Sequence, residues 1–343
     1  MARNRRNHYD VTDRVRISHP GDVSVAVTEI LEALYPGHDL HPVRRAYDVF
    51  AELYAGTLPG YVGCDTWYHD AQHSLDCSLA TARLLDGYER SMKESDRLGA
   101  RRGLLGVIIA LFHDAGYIRR EDDPARNGAE YTLSHVRRSG EFLADFLPSV
   151  GYTDEVGLTR QVVHFTGYEI ALDQIQVGHP KDRMLGFILG TADILAQTAD
   201  RCYLEKCRDY LFREFEICGL AGRGRGAGET RYPTVEALLS NTPDFNRQLW
   251  EDRLDGYFGS VHRYMEKHFG GRNPYVEQIQ RHLNLIARLG KKSQFHKLSK
   301  RPQCVDAQAL RRLLGIKTGT RRPSRKNTGE AQTSVRLGHV AHA

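Results

Sequence analysis

The 343-residue sequence lacks any apolar run of the roughly 20 residues that a membrane-spanning helix needs. Its first residues, MARNRRNHYD, are basic but are not followed by the apolar segment of a secretory signal. We therefore expect no membrane partner and a cytoplasmic location. The six cysteines are scattered and never form a CxxC pair, which argues against a structural zinc site and against a disulfide framework.

Strand-like alternation of useful length and internal repeats are also missing from the sequence. The glycine-rich stretch 219–228 lacks the spacing and the terminal Lys-Ser/Thr of a phosphate-binding loop, so we interpret it as a connecting loop. What the sequence has instead is a series of segments with apolar residues at helical spacing. We therefore predict an all-α fold.

A general basic surface is absent as well, although the net charge is +5. From Lys291 onward, lysine and arginine far outnumber the acidic residues Asp306 and Glu330, and this surplus exceeds the net charge of the whole chain. The rest of the chain is therefore net acidic. We expect no nucleic-acid partner except through this basic tail.

Composition and periodicity divide the chain into three parts. Residues 1–21 are polar and predict a disordered N-terminus, residues 22–290 carry the helical patterns of one domain, and residues 291–343 predict a largely disordered basic tail with a short helix at 305–314. The predicted helices nearest the chemistry discussed below are Thr66 to Tyr88, Arg101 to His113, Asn127 to Phe146, Asp154 to Phe165, Met184 to Thr198 and Tyr203 to Phe215.

The stretch GLLGVIIALFHDAGY, from Gly103 to Tyr117, is an apolar run that ends abruptly in His113-Asp114. Such a run predicts a buried helix, and a carboxylate at its end needs a partner. A metal ion is the partner that also uses the neighbouring imidazole. The alternative is an ordinary helix end in which both side chains bond to the backbone.

Other histidines and an aspartate stand in similar positions. His69 and His73 are four residues apart in WYHDAQHSLD and share a helix face, unless they face solvent. Asp193 lies in the apolar stretch GTADIL, where an unpaired charge costs several kcal/mol. His135 lies within the helical pattern from Asn127 to Phe146, and His164 follows two valines, where a buried neutral histidine with one hydrogen bond is an ordinary explanation.

The order His73, His113-Asp114, Asp193 resembles the H…HD…D signature of the HD-domain metal-dependent phosphohydrolases, over about residues 66–219. Within that superfamily, WYHDAQHSLDCSLA and ALFHDAGY are similar to motifs of the cyclic-nucleotide phosphodiesterase (PDEase) catalytic domain. The resemblance implies a helical bundle with a central pocket for two metal ions. The metal ligands that it implies are His73, His113, Asp114 and Asp193, with Asp114 bridging the ions, His69 as general acid, and His135 and His164 as the two additional histidines of a five-histidine subgroup.

The sequence also departs from the phosphodiesterase pattern. Asp70 stands where those enzymes have asparagine, and the interval between Asp114 and Asp193 is short for them. In REFEICG, Cys218 occupies the place comparable to the glutamine that contacts the base. Tyr117 and Gln197 are further candidates for contacting a substrate, each because of its spacing from a predicted ligand.

These observations predict hydrolysis of a phosphoester bond of a small substrate, a nucleotide that could be cyclic, by a metal-bridged hydroxide. His69 would protonate the leaving group, with Asp76 or Asp70 orienting its ring. Two divalent ions are expected, from among manganese, iron, magnesium, zinc and cobalt. Basic residues that could clamp a phosphate are Arg119, Arg120, Arg137, Arg138 and Lys181.

Three alternatives remain open at this point. An HD-type di-iron oxygenase would use the same ligands to activate oxygen, and a non-catalytic sensor would bind a nucleotide without turning it over. A nucleic-acid-associated protein would act through the basic tail. Metal content, a missing ligand and truncation of the tail, respectively, distinguish these alternatives from hydrolysis.

Overall fold

The computed structural model describes residues 6–222 and 230–316. These residues are mostly helical and form no strand beyond isolated β-bridges, which confirms the predicted all-α class. Their α-helices, in chain order, are α1 (Pro20–Leu34), α2 (His41–Ala55), α3 (Ala71–Ser91), α4 (Ala100–Phe112), α5 (His135–Phe146), α6 (Val156–Val162), α7 (Pro180–Ala199), α8 (Tyr203–Lys206), α9 (Phe212–Ile217), α10 (Val235–Gln248), α11 (Tyr264–His268), α12 (Pro274–Gly290) and α13 (Ala307–Leu313).

Shorter helical segments of two kinds join or extend these helices. The 3₁₀ turns are Glu94–Asp96, Ala115–Tyr117, Gly128–Tyr131, Leu147–Val150, Thr153–Glu155, Val163–Thr166, Leu172–Gln174, Val261–Arg263 and Phe295–Lys297. The π-helical segments are Cys207–Leu211 and Leu249–Tyr257. Several segments predicted as single helices, such as Asn127 to Phe146, are therefore interrupted.

Helix α3 is the centre of the fold and is buried along nearly its whole length. It packs against α1, α4, α7 and α11. Its sequence suits this position, because leucine, alanine, serine and cysteine predominate, and its charged residues Asp76, Arg83, Asp86 and Glu89 are themselves buried. The Asp70 side chain caps the first turn by accepting a hydrogen bond from the His73 amide at 3.2 Å.

Helices α4 and α7 lie against α3 and against each other. Residues 103–112 of α4 are all buried, as the apolar run predicts, and the helix ends at Phe112, so that His113 and Asp114 follow directly from the core. In α7, Asp193 is buried in the middle of the helix. The three helices thus bring their polar residues together inside the bundle.

The N-terminal segment differs from the expected disorder over the residues that the structure describes, 6–21. Asp10 is fully buried and accepts a hydrogen bond from Arg83 Nη2 of α3 at 2.6 Å. Ile17 belongs to the main hydrophobic core. A buried ion pair and a core side chain fix this polar-looking segment, and neither is visible in its local composition. Residues 1–5 lie outside the described part of the chain.

The beginning of the basic tail also packs against the domain. Val305 and Leu310 are buried, and α13 contacts α2. The Val305 amide donates to Asp70 Oδ2 at 2.7 Å. The predicted short helix is present at Ala307–Leu313, and the packed chain extends to residue 316 rather than ending at 290. Residues 317–343 of the tail and 223–229 of the glycine-rich loop lie outside the described residues.

A search of the described helices for membrane spans finds none that is both long enough and apolar enough to cross a bilayer.

Candidate metal centre

The ends and middles of three helices bring four predicted ligands into one buried cluster. His73 Nε2 of α3 lies 3.1 Å from Asp193 Oδ1 of α7 and 3.5 Å from Asp114 Oδ2. His113 Nε2, just after α4, lies 3.3 Å from Asp114 Oδ2 and 3.5 Å from Asp193 Oδ1. The two imidazole Nε2 atoms are 3.2 Å apart. Two nitrogens and two carboxylate oxygens therefore converge on one point.

The hydrogen bonding of this cluster suits a cation. Asp114 Oδ2 and Asp193 Oδ1 are buried and have no hydrogen-bond partner, which is costly for an anionic oxygen. His113 Nδ1 donates to the Ala110 carbonyl at 2.8 Å, so its Nε2 points a lone pair into the cluster. His73, His113 and Asp114 have donor atoms close enough to hold one metal ion. The residues present fit a divalent metal.

The electrostatics of the carboxylates agree with this interpretation. Burial alone would raise the pKa of Asp114, but the charges of His113, His69, His73 and His135 outweigh burial and lower it. Burial likewise opposes ionisation of Asp193, and its contacts with His113 and His73 nevertheless lower its pKa. In both cases the carboxylate is anionic because positive charge lies beside it, and a metal ion bound to the neutral forms of His73 and His113 would supply that charge in their place.

His135 faces the other oxygen of Asp114. Its Nε2 lies 3.6 Å from Asp114 Oδ1, while its Nδ1 donates to the Thr132 carbonyl at 2.8 Å. Glu169 fixes the start of α5 by accepting hydrogen bonds from the amides of Val136 and Arg137. Asp114 therefore presents one oxygen to His73 and His113 and the other to His135, an arrangement in which one carboxylate can serve two ions.

His164 is not brought into this cluster. It lies in the 3₁₀ turn Val163–Thr166, is buried, and has an Nδ1 without a hydrogen-bond partner. Within the described part of the chain, His135 pairs with Asp114 but His164 does not, and His164 does not line the cavity described below. Burial lowers its pKa, as expected for the neutral buried histidine that the sequence also allowed.

His69 is held by a residue that the sequence did not single out. Its Nδ1 donates to Glu214 Oε2 at 2.6 Å, and the amides of Trp67 and Tyr68 donate to Glu214 Oε1. Burial lowers the pKa of His69, but the charge and hydrogen bond of Glu214 outweigh burial and raise it. Glu214 therefore takes the orienting role expected of Asp76 or Asp70. The only local signal is a glutamate between the phenylalanines of α9.

A second buried group adds a cysteine to the centre. Donor atoms of Cys77, His113 and Asp193 all lie within 4.8 Å of one another and could also hold a metal ion. Cys77 follows His73 by one helical turn in α3, so its position was open to prediction from spacing. Burial raises the pKa of its thiol to about 11.

A cavity of about 530 Å³ opens onto the cluster. The predicted ligands and the general acid candidate line it, namely His69, His73, His113, Asp114, His135 and Asp193. Aromatic and aliphatic side chains also line it, among them Tyr203, Phe215, Tyr232, Leu238, Phe245 and Leu249. Both π-helical segments contribute to this lining, a backbone form often found at functional sites.

Two of the three residues predicted to contact a substrate line this cavity. Tyr117 and Gln197 line it. Cys218 does not, because its Sγ turns back to the Phe215 carbonyl at 3.6 Å while the Phe215 ring takes the place on the wall.

Few arginine or lysine side chains are found among the described residues that line the cavity. Of its described lining residues, only Arg231 and Arg253 are arginine or lysine. Arg253 Nη2 donates to the Gly167 carbonyl at 2.6 Å, and its guanidinium lies over the Tyr168 ring. The five basic residues expected as phosphate clamps lie outside the lining; Arg119 pairs with Asp65, Arg120 with Asp145, Arg137 with Glu141 and Arg138 with Asp123.

No protein-family model, curated protein or solved structure matches this chain. The chemistry of the cavity and of the buried cluster is therefore the basis for assigning a function.

Proposed function

We propose that the chain is a metal-dependent phosphohydrolase of the HD-domain type. One observation carries the proposal. The buried oxygens Asp114 Oδ2 and Asp193 Oδ1 have no hydrogen-bond partner and face the Nε2 atoms of His73 and His113. These are the four side chains of the H…HD…D order, and they line a cavity large enough for a small organic phosphate.

His73, His113, Asp114 and Asp193 would hold one ion, and Asp114 with His135 would contribute to holding a second. Bound divalent ions make water a better nucleophile at neutral pH and neutralise phosphate charge, which phosphoester hydrolysis requires. Mixed nitrogen and oxygen donors suit manganese, iron, zinc or cobalt, and the number of histidines makes magnesium the least suited of the expected metals.

His69 is the proposed general acid. It lines the cavity next to the metal ligands, and none of its nitrogens is used by the four-residue cluster. The carboxylate of Glu214 accepts the Nδ1 proton and stabilises the imidazolium form, which leaves Nε2–H to protonate the departing oxygen. Glu214 is itself fixed by two backbone amides, so the ring of His69 is held in one orientation.

The proposed substrate is a nucleotide with a single phosphate, including a cyclic nucleotide. The aromatic side chains that line the cavity offer flat surfaces against which a base can stack. A triphosphate would bring several negative charges into a cavity whose described lining has only Arg231 and Arg253 as arginine or lysine partners. Among the described residues, the lining therefore suits one phosphate better than three.

Metal analysis followed by a substrate screen tests the proposal. We expect the purified protein to hold divalent metal and to hydrolyse cyclic nucleotides or nucleoside monophosphates. His113→Ala and Asp114→Ala should each lose metal and activity, whereas His296→Ala, which removes an exposed histidine outside the cavity, should change neither. Retention of metal and activity by both cluster variants would sink the proposal. An iron centre with oxygen-dependent turnover would favour the di-iron oxygenase instead.

A further inference from the structure

Tyr117 stacks against two histidines that belong to different parts of the proposed machinery. Its ring centroid lies 4.4 Å from that of His69 at an interplanar angle of 16°, and 4.3 Å from that of His135 at 21°. The two imidazole centroids are 6.1 Å apart. The phenol ring is therefore in stacking contact with both imidazoles.

The position of the Tyr117 ring is fixed by close backbone packing. Tyr117 is 1% exposed and ends the 3₁₀ turn after Asp114. The Gly116 amide donates to Ser139 Oγ, and Arg138 Nε donates to the Gly116 carbonyl, each at 2.8 Å. A Cβ added to Gly116 would lie 1.9 Å from the His135 carbonyl oxygen. The turn is thus pressed against the start of α5, the helix that carries His135.

Each imidazole is held by a hydrogen bond on one side only. His69 Nδ1 bonds to Glu214, and His135 Nδ1 bonds to the Thr132 carbonyl. A single hydrogen bond fixes a direction but leaves the plane of the ring free to tilt about it. The face of Tyr117 supplies the missing constraint for both rings, because stacked aromatic rings favour near-parallel planes.

We propose that Tyr117 is a positioning residue that sets the ring planes of His69 and His135 together. Loss of the Tyr117 ring therefore weakens two properties at once. These are the retention of the second ion, which Asp114 and His135 would hold, and the donation of a proton by His69. The part concerning His69 rests on the proposed phosphohydrolase function. The part concerning His135 needs only metal binding. The hydroxyl is not required, so phenylalanine should replace tyrosine without loss.

Three substitutions test this inference. Tyr117→Leu and Tyr117→Met remove the planar face, and the flexible methionine fills the volume if leucine does not fold. Tyr117→Phe keeps the face. Tyr61→Leu is the matched control, because Tyr61 packs edge-on against Phe142 at 5.9 Å and does not line the cavity. Metal content per chain, metal dissociation rates and hydrolysis of two phosphoesters, one with a poor and one with a good leaving group, are measured for each.

The expected result is that Tyr117→Leu and Tyr117→Met release one of two ions about tenfold faster and lose about tenfold more activity on the poor leaving group than on the good one. Tyr117→Phe and the control should match the wild type. Unchanged metal release and an unchanged leaving-group ratio would overturn the proposal, as would failure of both non-aromatic variants to fold while Tyr117→Phe folds, which would assign Tyr117 to packing. Loss in Tyr117→Phe as well would overturn it by assigning the effect to the hydroxyl.

The metal and activity measurements separate this inference from the function on which it partly rests. A wild-type protein that holds two ions but hydrolyses no phosphoester contradicts the proposed function, and the metal release rates of the variants still decide the role of Tyr117. A wild-type protein that holds no ion, or only one, overturns the proposed role of Tyr117 at His135.

Discussion

Glu214 shows how much of the proposed catalysis depends on one carboxylate. It is fully buried and accepts two backbone amides through one oxygen and His69 through the other. In Glu214→Gln, the amide oxygen can still accept the backbone amides, but the amide nitrogen would donate to His69 Nδ1. His69 would then be a neutral imidazole, which is a much weaker acid.

We therefore expect Glu214→Gln to slow hydrolysis of esters with poor leaving groups by roughly 10²-fold, approaching the effect of His69→Ala, with little change for p-nitrophenyl esters. Metal content should stay at the wild-type value. Glu205→Gln is the control, because Glu205 is a buried carboxylate that faces Lys300 away from the cavity. Equal slowing of both classes of ester in Glu214→Gln would argue against a proton-donating pair.

Residues differ in how far the sequence reveals their roles. His113, Asp114 and Asp193 could be predicted because each is a charged or polar group set directly in an apolar run. Glu214 could not, because its partner His69 is 145 residues away and no local pattern connects them. His164 resembles His113 in its local sequence, yet it lies in a separate turn. Periodicity predicts that both side chains are buried, but it does not predict which buried side chains lie close together.

At the scale of elements, the 3₁₀ turn Ala115–Tyr117 depends on the absence of a side chain at Gly116. A Cβ there would overlap the His135 carbonyl oxygen, so the turn and α5 would have to separate. We expect Gly116→Ala to destabilise the protein by roughly 2 kcal/mol and to weaken metal retention. Differential scanning calorimetry and metal analysis measure the two effects.

Gly157→Ala provides the comparison for this substitution. Gly157 lies in α6, and a Cβ added there meets nothing within 4 Å. Alanine in a helix should stabilise by roughly 0.5–1 kcal/mol. If both substitutions had the same effect, the close approach at Gly116 would not matter to the turn.

The N-terminal segment is held by the buried pair of Asp10 and Arg83. Burial alone would raise the pKa of Asp10, but Arg83 and hydrogen bonds from Thr12 and Val15 lower it from 3.8 to about 2. A lowered carboxyl pKa contributes stability that is complete above pH 3.8 and is lost as the pH falls through about 2. That contribution is on the order of 2 kcal/mol.

Asp10→Asn should therefore remove the part of the acid dependence of unfolding that falls between about pH 4 and 2. At neutral pH it should cost roughly 3–5 kcal/mol, because Arg83 would remain buried without its anion. Urea unfolding at several pH values measures both. Asp22→Asn breaks a partly exposed pair with Arg16 and should cost less than about 1 kcal/mol. Similar losses in the two variants would contradict a buried ionic anchor.

The sequence predicts that the fold is helical and roughly where the helices lie. It does not predict where the helices are interrupted or which segments are 3₁₀ or π-helical. The apolar run before His113 predicts the bounds of α4 to within one residue, because a run that is apolar on all sides forms a helix that is buried on all sides. The π-helical segments Cys207–Leu211 and Leu249–Tyr257 have ordinary helical patterns in the sequence. Their wider hydrogen bonding depends on packing between distant segments, which local periodicity does not encode.

At the scale of the whole molecule, residues beyond 290 pack against the domain. Phe295, Leu298, Val305 and Leu310 are all buried. We expect a chain truncated after Gly290 to melt at a lower temperature than one truncated after Ile316, because it loses this apolar burial. Any nucleic-acid binding should disappear in the chain that ends at Ile316, because the truncation removes much of the basic surplus.

If the chain truncated after Ile316 still bound nucleic acid, the binding surface would lie on the domain itself. A chain truncated after Gly290 that melted like the one truncated after Ile316 would contradict the packing role of residues 291–316. Thermal melting and filter binding over a range of salt concentrations distinguish these outcomes.

Asp70 connects the metal centre to this C-terminal segment. One of its oxygens caps the turn of α3 that carries His73, and the other holds the Val305 amide. When residues around Val305 detach in a local opening, that carboxylate loses a partner and becomes accessible to water beside a metal ligand. The frequency of such openings then sets a lower limit on how often the first turn of α3 is exposed. If His73 holds a metal ion as proposed, such openings should also speed the exchange of that ion with solvent, although they occur more than 200 residues away along the chain.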